Sequence, residues 1–156
     1  MKKLFLFVVA LMMTVSIQAQ NMKGRVYYNG DMSVSQLLSQ RMDESPEARQ
    51  EREHVMNEIF TMSISVEFRN SEKLKVKTKI ITDNERAKEL GVDWGNRNLW
   101  QAQLKLAAQS HSYWSKYKIV GNTVVIEDGT QMLLSEDGSE LTLNDHEMKA
   151  TLKRIR

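Results

Sequence analysis

The sequence contains no cysteine and only one proline in its 156 residues. Without cysteine, the chain has no disulfide scaffold, no thiol nucleophile and no lipidated cysteine behind an export signal. The motifs of several large enzyme classes are missing as well: there is no Gly-x-Ser-x-Gly turn, no P-loop and no dinucleotide-binding fingerprint. We therefore predict that the protein is not an enzyme, and we assign it no catalytic residue and no cofactor.

Metal ligands are also not grouped in the sequence. The three histidines are scattered, and none stands in an HExxH spacing. The run Asp145-His146-Glu147 is interpreted as a turn, because consecutive residues on a strand point to opposite faces. We therefore predict no metal site.

The first nineteen residues have the pattern of a cleavable export signal. Lys2 and Lys3 precede an apolar run over 4–15, and a small residue, Ala19, ends the segment. That apolar run is too short to span a bilayer, which takes about 20 residues. The sequence predicts a signal peptide over 1–19 and a periplasmic or secreted protein without a membrane span.

Charge argues against a nucleic-acid partner. The chain has 22 Lys and Arg against 20 Asp and Glu, and the predicted signal removes two lysines, so the remaining positive and negative charges balance. A basic surface of the kind that binds nucleic acids is therefore not indicated. Removing 19 of 156 residues leaves 137, which is enough for one domain over 20–156.

The last forty residues, 117–156, alternate short extended runs with tight-turn sequences. The turns are Gly121-Asn122, Asp128-Gly129 and Glu136-Asp137-Gly138. Glycine and asparagine tolerate the positive φ that tight hairpin turns require, so this segment is predicted to be a meander of antiparallel strands.

Two longer runs upstream alternate with period two, which indicates strands with one face on a core and the other in water. The apolar faces are Met62, Ile64, Val66 and Phe68 on the first run, and Leu74, Val76, Thr78 and Ile80 on the second. The opposite face of the second run is a row of lysines: Lys73, Lys75, Lys77 and Lys79.

The remaining segments are assigned from caps and spacing. A short strand over 24–28 is predicted to end at Asn29-Gly30, and a helical insertion follows over about 33–60, with Ser45-Pro46 starting its second helix. A short helix over 84–90, a loop over 92–96 and a strand over 113–120 come next. Residues 99–110 alternate like a strand but consist of strong helix formers, so that helix is favoured and strand stays open.

About eight strands with hairpin connections predict a mainly β fold, a small antiparallel barrel that closes its own edges, with the helical insertion after the first strand. An open sheet with helices on one face is the alternative.

The strand rhythm resembles that of the calycin superfamily, in particular small exported bacterial lipocalin-like proteins. The residues that carry the resemblance are 24–27, 63–68, 73–77, 117–126, 134–143 and 152–155. In place of the Gly-x-Trp signature of lipocalins, Gly24 is followed by Arg25 and Val26. The resemblance implies a barrel that binds a small apolar or amphipathic ligand.

Two sets of residues are therefore candidates for binding. The lumen candidates are Ile64, Val66, Phe68, Val76, Trp100, Tyr113 and Tyr117. They either line a ligand cavity or fill the interior with side chains, because hollow and filled barrels have the same strand pattern. The lysine row and the helical insertion are candidates for binding an envelope protein or a glycan; otherwise the row is a solvated face. A weaker third hypothesis is a hydrolase site at the barrel mouth.

Overall fold

The computed structural model describes residues 22–38, 44–144 and 148–156. The predicted signal peptide over 1–19 lies outside the described residues, as does the turn assigned to 145–147. The described residues fall into two compact units. The first contains the residues up to Tyr28, Ser65–Lys75 and Trp114–Arg156, and the second contains Asn29–Ile64 and Val76–Tyr113.

Eight strands form a closed antiparallel barrel in which each strand neighbours the next along the chain and the last pairs with the first. This confirms the predicted fold class. The strands are β1 (Val26–Ser33), β2 (Phe60–Phe68), β3 (Lys73–Thr82), β4 (Tyr113–Val120), β5 (Thr123–Ile126), β6 (Gln131–Leu134), β7 (Glu140–Asn144) and β8 (Lys149–Arg154). The helices are a short 3-10 helix (Val34–Leu37), α1 (Pro46–Ile59), α2 (Asn84–Glu89) and α3 (Trp94–Ser110).

The meander of the first unit has the predicted turns. Gly121, Gly129 and Gly138 all have positive φ, at 63°, 91° and 69°. The β4–β5 pair has Val120 opposite Thr123, which leaves the two-residue turn that the sequence indicates. These glycines allow the chain to reverse direction between β4 and β5, between β5 and β6, and between β6 and β7.

The turn between β6 and β7 is held by the side chain of Asp137. Its carboxylate accepts hydrogen bonds from the Ser139 backbone N–H (3.0 Å), the Ser139 hydroxyl (2.7 Å) and the Ser135 hydroxyl (2.7 Å). These hydrogen bonds, that of the Ser139 N–H first, lower the pKa of Asp137 from 3.8 to about 2.

We expect Asp137 to contribute a pH-dependent part of the stability. A carboxyl whose pKa is lower in the folded state stabilises the fold above its unfolded pKa, and this contribution disappears as pH falls from about 4 through about 2. Denaturant unfolding of the wild type and Asp137→Asn over this range, with the carboxyl titration followed by NMR, measures it. A pKa of Asp137 near 3.8 in the folded protein would contradict the assignment.

An aromatic cluster lies in the core of the first unit. Phe68 packs edge-on against Tyr27 (centroids 5.9 Å apart) and Tyr117 (4.9 Å apart). The Tyr27 hydroxyl donates to the Gly138 carbonyl (2.9 Å), and the Tyr117 hydroxyl donates to the Asn70 carbonyl (2.8 Å). Because both hydroxyls have partners, these rings can be buried without an unsatisfied polar group.

Strand β1 is longer than the sequence predicts. It continues through Asn29-Gly30 to Ser33, so the prediction that this dipeptide ends the strand is wrong. Neither residue has the positive φ of a tight turn. The Asn29 side chain instead accepts the backbone N–H of Asp31 (3.0 Å), and the chain stays extended.

The helical insertion is confirmed in part, with a different first segment. Residues 34–37 form a 3-10 helix, and Leu38 is already extended. Asn57 of α1 holds this segment, because its Oδ1 accepts from the Ser33 hydroxyl (2.8 Å) and the Val34 N–H (3.0 Å). Helix α1 begins at Pro46, as predicted. Ser45 is its N-cap, and the Ser45 side chain accepts a hydrogen bond from the Ala48 N–H.

Residues 99–110 are helical, and α3 begins five residues earlier than expected, at Trp94. The prediction of a loop over 92–96 is therefore wrong for its last three residues. The reason is that Asp93 acts as the N-cap and accepts the Asn96 N–H at 3.0 Å. The buried residues Leu104 and Ala108 are four apart, which is the spacing of one helical face.

Candidate functional site

Strand β4 presents Trp114 to solvent. Along the strand, Tyr117 and Ile119 are buried while Trp114, Lys116 and Lys118 are exposed, as period two requires. The Trp114 side chain is 56% exposed. Trp114 is the second of the eight residues of β4, and a large aromatic ring exposed to water there makes this face of the strand a candidate binding surface.

Two cations from the β2–β3 hairpin approach this ring. The Lys75 ammonium lies 4.8 Å from the ring centroid, and the Arg69 guanidinium carbon lies 5.8 Å from it. Both distances are within the range of cation–π attraction. Arg69 also pairs with Glu67 (3.0 Å), whereas Lys75 has the tryptophan as its partner.

An open groove of about 460 Å³ lies beside the ring, a volume within the range of ligand pockets, about 300–1,000 Å³. It is lined by Lys73, Trp114, Ser115, Lys116 and Glu127, and we call it the Trp114 groove. The Glu127 backbone N–H donates to the Lys116 carbonyl (3.1 Å) and the Ser115 hydroxyl (3.3 Å), so the backbone of this side of the groove is fixed.

The lysines at the groove have no carboxylate partner in the part of the chain that the structure describes. Within residues 22–38, 44–144 and 148–156, no ion pair involves Lys73, Lys75 or Lys116. An ammonium group without a carboxylate partner can bind an anion without first breaking an existing pair. The groove therefore combines available positive charge, one aromatic face and one carboxylate.

A second open groove of about 370 Å³ lies on the same β4–β5 hairpin. Its lining is Lys116, Tyr117, Lys118, Val125, Ile126, Glu127 and Gly129. It shares Lys116 and Glu127 with the Trp114 groove but has no exposed aromatic ring. We therefore take the Trp114 groove as the better-equipped binding surface of the first unit.

The lumen candidates are placed in different surroundings. Ile64, Val66 and Phe68 have no exposed surface, and Val76 is 4% exposed. Tyr117 is buried, and burial raises the pKa of its phenol above the ordinary 10.0. Trp100 lies on helix α3 and Tyr113 at the start of β4, and both are half-buried. Ligand binding by these residues stays a prediction.

The lysine row is not uniformly solvated. Lys73 and Lys79 are exposed, whereas Lys75 and Lys77 are half-buried. In the first unit, Lys73 and Lys75 meet at the Trp114 groove. The row therefore consists of residues with different surroundings, and a role for it in binding stays a prediction.

Sequence reasoning did not identify Arg69, Ser115, Lys116 and Glu127 as part of a site. One signal was available: the two-residue Gly121-Asn122 turn sets the β4–β5 register, and that register places Lys116 opposite Glu127. No comparable signal links Arg69 to Trp114, because their proximity depends on how separate strands are arranged.

The described residues do not include a group of three or more acidic or histidine side chains that could hold a metal ion. The shifted pKa values have structural causes. Hydrogen bonds to Glu44 raise the pKa of Arg52, and capping of helix α3 lowers the pKa of Asp93. None of the helices in the described ranges is long and apolar enough to cross a membrane.

Comparison of the chain with protein-family models, with curated proteins and with solved structures finds no match.

Proposed function

We propose that this chain is a small exported lipocalin-like binding protein without catalytic activity, which takes one small apolar or amphipathic ligand. The observation that carries the proposal is the closed eight-stranded antiparallel barrel. A barrel of eight strands has an interior that is just wide enough for side chains to fill or for one small ligand to occupy. The signal-like segment over 1–19 supports a periplasmic or secreted location.

The two units differ in the side chains that they bury. In the first, Phe68 packs against the rings of Tyr27 and Tyr117, and both tyrosines also hydrogen-bond to the backbone. In the second, the buried strand residues are mainly aliphatic or methionine, including Met62, Ile64 and Val76. Methionine has three rotatable bonds and adapts to irregular shapes, so the second unit is better suited to yield to a ligand.

Native mass spectrometry tests for such a ligand. Protein purified gently from its own source, without detergent, is compared with the same protein after solvent extraction. We expect an additional mass that disappears on extraction. A bare protein mass in both samples, together with no binding of a fluorescent fatty acid, would contradict the proposal.

A substitution in the second unit tests where the ligand lies. We expect Ile64→Phe to weaken binding of the fluorescent fatty acid at least about tenfold, because the larger side chain would occupy space in the barrel interior that the ligand needs. The matched control is Leu133→Phe, at a position that is 52% exposed, and it should bind as the wild type does. Circular dichroism of both variants establishes that they fold, and equal binding by both would contradict the location.

A second candidate function is interaction with an envelope protein or a glycan through the helical insertion and the lysine-rich strand face. The observation that favours it is the convergence of Lys73 and Lys75 on the exposed Trp114. This function does not require a cavity in the barrel.

A further inference from the structure

We propose that the Trp114 groove binds an acidic oligosaccharide built from uronic acids. The inference rests on the second candidate function and specifies the class of glycan that is bound. It does not depend on whether the barrel holds a ligand. Three properties of the groove lead to this chemistry: the exposed ring, the unpaired lysines and the single carboxylate.

The exposed ring favours a sugar over a small inorganic anion. One side of a pyranose ring presents mainly C–H groups, and this apolar side can cover an indole face. More than half of the Trp114 side chain is exposed, so contact with a sugar removes apolar surface from water. A small inorganic anion would gain nothing from this surface.

The lysines favour an acidic sugar over a neutral one. Lys73 and Lys116 line the groove, Lys75 lies over the tryptophan ring, and none of the three has an ion-pair partner among the described residues. A uronic acid carries one carboxylate on each sugar ring. A chain of such sugars therefore brings an anion to a lysine while it keeps a C–H face on the tryptophan.

Glu127 favours a glycan over a nucleic acid. A carboxylate accepts hydrogen bonds from sugar hydroxyls but repels phosphates, which nucleic acids carry at every nucleotide. The Ser115 hydroxyl donates to the Lys116 carbonyl (3.0 Å) and accepts the Glu127 N–H (3.3 Å), so its oxygen can accept one more hydrogen bond, from a sugar hydroxyl. A uronic acid chain also carries one negative charge on each ring, but each ring has free hydroxyls as well, and one of these can lie at Glu127 while the carboxylate lies at a lysine.

Binding of a galacturonic acid trisaccharide to the purified protein tests the proposal, followed by calorimetry and by tryptophan fluorescence at low salt. We expect Trp114→Ala to weaken binding about tenfold through loss of the aromatic contact. Lys73→Glu should weaken it at least about fivefold, because each lost charge contact is worth about 1 kcal/mol in water. Raising the salt concentration should weaken binding further, since exposed charges are screened.

Two controls match these variants. Trp94→Ala removes a tryptophan that is 72% exposed and lies on helix α3, and Lys105→Glu makes the same change in net charge on that helix. Both should bind the trisaccharide as the wild type does. All four variants alter exposed side chains, and circular dichroism checks that each folds.

Three results would overturn the inference. If a neutral galactose trisaccharide binds as tightly as the galacturonic acid trisaccharide, the preference for uronic acids is contradicted, whereas the second candidate function, binding of a glycan, is retained. Tighter binding of a thymidine oligonucleotide would replace the glycan with a nucleic acid. If the protein binds none of these three ligands, both the uronic acid inference and the proposal of a glycan partner are contradicted. The proposal of a ligand in the barrel is unaffected.

Discussion

Replacing Val66 by aspartate is expected to abolish cooperative folding at neutral pH. Val66 lies on β2 and has no exposed surface. An isolated carboxylate at such a position must lose its hydration or take up a proton, and either costs several kcal/mol. Because a domain of this size has a total stability of about 5–15 kcal/mol, one such substitution can consume most of it. Val76→Asp, at a side chain that is 4% exposed, should behave in the same way.

The matched controls are Lys75→Asp and Lys77→Asp, on the opposite face of β3. Both lysines are half-buried, so an aspartate there keeps contact with water, and we expect a cooperative unfolding transition to persist. Circular dichroism during urea unfolding distinguishes the two groups. Equal tolerance of aspartate at the valine and lysine positions would contradict the core-facing and water-facing sides assigned to β2 and β3.

Phe68→Ala is expected to lower the free energy of unfolding by about 3–5 kcal/mol. Phe68 has no exposed surface and packs edge-on against both Tyr27 and Tyr117, so its removal leaves a cavity between two rings. The two tyrosines are also held by hydrogen bonds to the carbonyls of Gly138 and Asn70, which limits how far they can move to fill the space. Chemical unfolding followed by circular dichroism measures the change.

Two controls separate the cavity from a general loss of apolar surface. Phe68→Leu keeps most of the volume and should cost clearly less, about 1.5 kcal/mol. Leu133→Ala, at an exposed position on β6, should change stability by less than about 0.5 kcal/mol. A Phe68→Ala variant as stable as the Leu133→Ala variant would show that the aromatic cluster does not contribute as the geometry indicates.

Local signals in the sequence predict much of the fold. Glycines with positive φ at 121, 129 and 138 define the meander, and the serine and aspartate caps begin α1 and α2 where expected. These features depend on residues within one turn of the chain. The errors lie where two local signals competed. Asn29-Gly30 has a common turn sequence but lies within an extended strand, and Asp93 begins α3 inside a segment that resembles a loop.

The candidate site was less predictable. The lysine row was identified from the sequence, but no local pattern indicates that Lys75 contacts Trp114, or that Lys73 lies in the same groove as Lys116. The same holds for Tyr117, one of the lumen candidates, whose contact with Phe68 no local pattern indicates. A single strand pattern gives the face on which a side chain lies but not its neighbours.

The amino-acid pattern alone therefore accounts for the type of each long strand, for most turns and for the antiparallel arrangement, because period-two alternation and positive-φ glycines act over a few residues. The pairing of β1 with β8, which closes the barrel and excludes the open sheet, is decided by the folded chain. Only the folded chain decides which aromatic residues fill the core and that Trp114 is exposed beside lysines that form no ion pair with a described residue. The physical reason is that Lys75 on β3 and Trp114 on β4 are separated in the chain by helices α2 and α3, so no tight turn sets the register that brings them together.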